Sequence, residues 1–71
     1  MNHATLVRMA NQIATLYKPY SEAEAIVQTE GHIKRFWDPR MKKDLQLVVE
    51  AGGEGLSPTA MAAAQRVVGT A

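Results

Sequence analysis

Three prolines, Pro19, Pro39 and Pro58, stand at intervals of about twenty residues in a chain of 71. In a helix interior proline removes a hydrogen bond and clashes with the carbonyl one turn back, at a cost of about 3 kcal/mol. At the first helical position its missing N–H costs nothing. Any helical fold of this chain is therefore cut into short elements near these three points.

Periodicity fills the pieces with helices. Leu6, Met9, Ala10, Ile13, Leu16 and Tyr17 follow the i, i+3, i+4, i+7 rule, with Arg8, Asn11, Gln12 and Thr15 on the other side. Pro19 closes that segment, because it disfavours the helical conformation in Lys18. Ser21 with Glu24 three positions later is a capping-box signature, in which the glutamate reaches back to the cap. The next stripe is expected to be Ile26, Ile33 and Trp37, flanked by Ala23 and Phe36, with Glu30 at its edge. Gly31 costs about 1 kcal/mol relative to Ala, or else permits close approach of a neighbouring backbone.

Asp38-Pro39 is an N-cap and first-position pair, and Ser57-Pro58 is a second one. The helix after Pro39 carries Met41, Leu45, Val48 and Val49 on one face. Gly52-Gly53-Glu54-Gly55 ends it, the first glycine suiting a left-handed cap. The last helix carries Met61, Ala64, Val67 and Val68, and its alanines give it little to bury. No alternation lasts long enough to predict a strand. The expectation is an all-α fold, a small bundle of three to four short helices. It forms one helical domain over residues 1–71, with helices at about 2–17, 21–37, 39–51 and 58–68.

Composition narrows the chemistry. The chain has no Cys, which removes disulfides, iron–sulfur ligation, thiolate zinc sites and cysteine nucleophiles together. A core of this size rarely supplies more than about 3–5 kcal/mol without a staple. Tight packing or a partner subunit must supply the rest. Eight Lys/Arg against seven Asp/Glu is too balanced for a protein that holds nucleic acid by counterion release. No apolar run approaches the roughly 18 residues that span a bilayer. Met1-Asn2-His3-Ala4-Thr5 lacks the features of a secretory signal, so a cytoplasmic location is expected.

No residue is assigned a catalytic, cofactor-binding or metal role. His3 and His32 are isolated, Ser21 and Ser57 are accounted for as caps, and Glu22 and Glu24 suit a helix N-terminus. Gly52 through Pro58 lacks the Lys-Ser/Thr ending of a phosphate-binding loop and follows a helix rather than a strand. What stands out is Gly31 to Met41, which holds the only Trp and the only Phe beside Lys34, Arg35, Arg40, Lys42 and Lys43. Adjacent helical residues point about 100° apart, so one of Phe36 and Trp37 faces outward. Trp and Arg are enriched at interface hot spots. A partner interface is therefore expected at Phe36, Trp37, Pro39, Arg40 and Met41, with adjacent apolar residues of the first and third helices. A nucleic-acid module that stacks bases on these aromatics and a self-associating helical protein are the rival readings.

Three segments in order, Leu6–Ile13, His32–Met41 and Gly52–Pro58, resemble the delta subunit of NAD-dependent formate dehydrogenase. The middle one is the specific part. The resemblance implies a non-catalytic accessory subunit that assists assembly or stability of a soluble complex oxidising formate to carbon dioxide, with NAD as acceptor. It also implies that the molybdenum or tungsten pterin, iron–sulfur clusters, FMN and NAD belong to partner subunits, and that the large alpha subunit is the docking partner.

Overall fold

The computed structural model describes residues 2–69, in four helices: α1 (His3–Leu16), α2 (Glu22–Phe36), α3 (Pro39–Glu50) and α4 (Pro58–Val68). Met1, Thr70 and Ala71, which the expected domain takes in, lie outside the described residues. The fold is all-α, with no strand among the described residues.

Local chemistry sets each helix end. The Asn2 side chain accepts from the backbone N–H groups of Ala4 and Thr5, and Asp38 and Ser57 likewise cap α3 and α4, each followed by proline. Ser21 Oγ accepts from Glu24 N at 3.2 Å, but the reciprocal half of the expected capping box is not made. The Glu24 carboxylate instead accepts from Gln28 Nε2 at 2.8 Å, one turn further along. At the end of α3, Gly52 N–H donates to Val49 O and Gly53 N–H to Val48 O, with Gly52 at φ 107°. This is the paired bonding of a Schellman cap, and it needs the left-handed glycine that the sequence supplies.

The core is built from Leu6, Ala10, Ile13, Ile33, Trp37, Leu45, Val48, Val49, Ala60 and Ala64, contributed by all four helices. Two faces differ from expectation. On α2 the buried line is Ala25, Thr29 and Ile33, whereas Ile26 is half-buried and Ala23 exposed. On α4 the alanines have much to bury after all, since Ala60, Ala63 and Ala64 are wholly enclosed. The two corrections share one cause. Small side chains line both helices where they meet, and α2 and α4 share the most extensive contact of any helix pair among the described residues, with the Ala25–Thr29 face inward in place of a bulkier one.

Polar ties mark both ends of that seam and show that the two helices run parallel. Thr59 Oγ1 donates to the Glu22 carboxylate at 3.0 Å, and Arg66 Nε donates to Glu30 Oε1 at 2.7 Å. Gly31 is exposed, and a Cβ placed on it would meet nothing within 4 Å. Its role is therefore not close approach of another backbone.

Candidate functional site

The corner between α2 and α3 is made by two residues in extended conformation. Trp37 (φ −84°, ψ 137°) closes α2 by donating its N–H to Ile33 O at 3.0 Å. Asp38 (φ −79°, ψ 170°) opens α3, its Oδ1 accepting from Met41 N at 2.8 Å. Lys42 Nζ then reaches back to Lys34 O at 2.9 Å, placing a cation on an orphan carbonyl in the last turn of α2. The bend is thus fixed by its own hydrogen bonds.

Adjacent aromatics part company here. Trp37 turns inward and is 6% exposed, packed in the core, whereas Phe36 is 66% exposed. Of the expected interface set, Phe36, Pro39 and Arg40 lie at the surface, Met41 is half-buried against the core, and Trp37 is enclosed. Phe36 is held on its own side of the bend by His32, ring centroids 4.9 Å apart, and by Arg35, whose guanidinium carbon lies 6.0 Å from the ring centroid. That last distance is at the outer range of a cation–π contact.

The cations divide as well. Lys34 Nζ pairs with Glu30 Oε2 at 2.7 Å, on the carboxylate that also receives Arg66. The Lys34 hydrogen bond, aided by Arg66 and opposed by desolvation, holds the Glu30 carboxyl below its ordinary value. Arg35, Arg40 and Lys43 are exposed.

Beside the corner, a groove of about 300 Å³ runs between α1 and the end of α2, lined by Met9, Gln12, Ile13, Leu16, His32 and Trp37. Leu16 belongs to the apolar stripe of α1, yet it is 66% exposed because no helix covers the last turn on that side. On the opposite flank Asn11 is no solvent-facing polar residue. Its Nδ2 donates to Gly55 O at 2.9 Å, and its Oδ1 accepts from Ser57 N at 2.9 Å. The glycine loop is thereby fastened to α1, and Gly53 is buried against Met61 and Leu56. No sequence periodicity announces the Asn11 contact, because its partners lie more than forty positions away.

The three segments that carry the resemblance therefore converge. Leu6–Ile13 touches the glycine loop through Asn11 and borders the corner through Met9 and Ile13. A family model described as NADH-dependant formate dehydrogenase delta subunit FdsD matches residues 5–64. This chain belongs to that family. No curated protein and no solved structure matches it. The match to the delta-subunit family takes in the corner, the glycine loop and α4 as far as Ala64, six residues beyond Pro58. As a formate dehydrogenase delta subunit, the chain is one component of an NAD-dependent oxidoreductase complex, which implies partner subunits.

The sequence offers no thiolate for a cluster, and among the described residues no three His, Asp or Glu side chains come together where a metal ion could sit. No helix of the described residues is long and apolar enough to cross a membrane.

Proposed function

We propose that this delta subunit is a non-catalytic accessory component of a cytoplasmic formate dehydrogenase, and that it docks on the large, cofactor-bearing subunit through the α2–α3 corner. The observation that carries the reading is Phe36. An aromatic ring two-thirds exposed, packed against His32 with the Arg35 guanidinium near its face, stands at a bend whose backbone is already tied. Rigid aromatics with neighbouring arginines are the usual anchors of an interface. The pterin, the iron–sulfur clusters, the FMN and the NAD site are then carried by partner subunits, in keeping with a chain that has no Cys.

The work done is binding rather than chemistry. A subunit that binds only the assembled, folded partner stabilises that state by mass action. Phe36→Ala and Arg40→Ala, expressed together with the other subunits, are expected to lower co-purification of this chain with the large subunit. Wild-type recovery of both variants, with unchanged formate oxidation, would sink the assignment. Trp37→Ala is a poor probe, because its side chain belongs to the core.

A further inference from the structure

We infer that the groove between α3 and the end of α4 seats an acidic segment of a partner subunit, with carboxylates on Lys42 and Lys43 and an apolar side chain on Val67 and Val68. This rests on the docking reading above and extends that surface around the corner, which the groove adjoins at Pro39. The groove, of about 380 Å³, is lined by Pro39, Lys42, Lys43, Gln46, Val67 and Val68. The two valines are half-buried and packed against the core, so they give it a firm apolar wall. Two cations belong to the lining itself, and no carboxylate does. Lys42 Nζ donates to Lys34 O at 2.9 Å, a neutral acceptor that fixes the ammonium without neutralising it.

The charges of the whole molecule point the same way. Because α2 and α4 run parallel and α3 starts where α2 ends, the last turns of α2 and α4 share one end of the bundle with the first turn of α3. That end holds Lys34, Arg35, Arg40, Lys42, Lys43 and Arg66 against Glu30, Asp38 and Asp44. Each of these carboxylates is accounted for. Glu30 is shared by Lys34 and Arg66, Asp38 caps α3, and Asp44 is half-buried, already engaged and outside the lining. Glu22, Glu24, Glu50 and Glu54 lie at the other end, with Lys18. A chain of net charge +1 is thus polarised along its length, and complementarity calls for carboxylates at the cationic end. The two valines favour a polypeptide over nucleic acid, which is held by aromatic faces and a broad basic surface. A second copy could bring its acidic end only head to tail, an arrangement that runs on into a ring or filament instead of closing as a pair.

The test uses the complex made by co-expressing this chain with a tagged large subunit and the remaining subunits. A zero-length carbodiimide, which joins an amine to a carboxylate in contact with it, is expected to link Lys42 or Lys43 of the wild-type chain to an Asp or Glu of another subunit. Peptide mapping then names the acidic segment, and a complex in which neither lysine is linked to another subunit overturns the inference. Lys43→Glu, at an exposed position, is expected to lower the retained chain about tenfold, and its combination with Lys42→Gln to lower it further. Lys18→Glu makes the same change in net charge at the opposite end and should be retained like wild type. Wild-type retention should also fall more steeply with salt than that of Lys43→Glu. Circular dichroism of each isolated variant separates a lost contact from a lost fold. If the Lys43 variants are retained like wild type while Phe36→Ala is lost, docking through the corner stands and the groove is refuted. If wild type is not retained at all, the docking reading fails and the groove with it. Equal losses for Lys18→Glu and Lys43→Glu reveal an effect of net charge and refute the groove. A concentration-dependent oligomer of the full chain that Lys43→Glu abolishes assigns the groove to a second copy, and retention lost on nuclease treatment assigns it to nucleic acid. Either of these last two results overturns the inference.

Discussion

Asn11 and Ser57 meet at 2.9 Å across 46 positions of sequence, the asparagine Oδ1 accepting the backbone N–H of the residue that caps α4. The same side chain donates to Gly55 O, so one amide fastens both sides of Leu56. The donor and the acceptor of that amide are each used once. This explains why an asparagine, and not merely a polar residue, stands there.

Replacing it separates the two bonds. Asn11→Ala removes both and leaves Ser57 N–H without its partner, for a loss of about 1–3 kcal/mol. Asn11→Asp keeps the acceptor but sets a carboxylate oxygen against Gly55 O, and it is expected to be no better than alanine. Urea unfolding of the three proteins checks the order, and a neutral Asn11→Ala would remove the clamp from the account.

The neighbouring aromatics should behave in opposite ways. Trp37→Ala opens a cavity in the core at a cost of about 3–5 kcal/mol, comparable to the whole stability of a domain this small. It is expected to leave the isolated chain largely unfolded by circular dichroism. Phe36→Ala, at the surface, should stay within about 0.5 kcal/mol of wild type.

Thr29 is wholly buried on α2, and its Oγ1 has no hydrogen-bond partner among the described residues. Valine has the same shape without the hydroxyl. Thr29→Val should therefore stabilise the fold by about 1 kcal/mol, read as a rise of roughly 4–8 °C in Tm. A fall in Tm would mean that the hydroxyl contributes a bond of its own.

Glu30 gives the fold a pH dependence of known sign. Its carboxyl is held below the ordinary 4.5, chiefly by the Lys34 hydrogen bond. A lowered folded-state pKa adds stability above the unfolded value and loses it as pH falls through the lowered one. The stability gap between wild type and Glu30→Gln should be full above about pH 5 and close progressively in more acid solution. Melts between pH 2 and 7 would show it, and a gap that widens on acidification contradicts the assignment.

What could be foreseen from sequence was what local chemistry decides. Asp38-Pro39, Ser57-Pro58 and Gly52 fix helix ends through bonds within a few residues, so their types and spacing announce them. The inward face of α2 could not be foreseen in the same way. Its residues fit two stripes one position apart, and the choice falls to Ala60, Ala63 and Ala64 on α4, two helices further along the chain. The outward turn of one aromatic followed from helical geometry alone. That it is Phe36 depends on where α1 lies, as does the exposure of Leu16. The Asn11 clamp has no periodic signature at all.

The alanine seam between α2 and α4 has a mechanical consequence. Alanine methyl groups have no rotamers to exchange, so ordering Ala25, Ala60, Ala63 and Ala64 costs no side-chain entropy. α2 is in effect a braced stem, and Phe36 stands at its tip, one turn past the buried Ile33. A ring offered from such a stem has little freedom left to surrender when something closes over it, which is the condition under which a small contact area binds tightly.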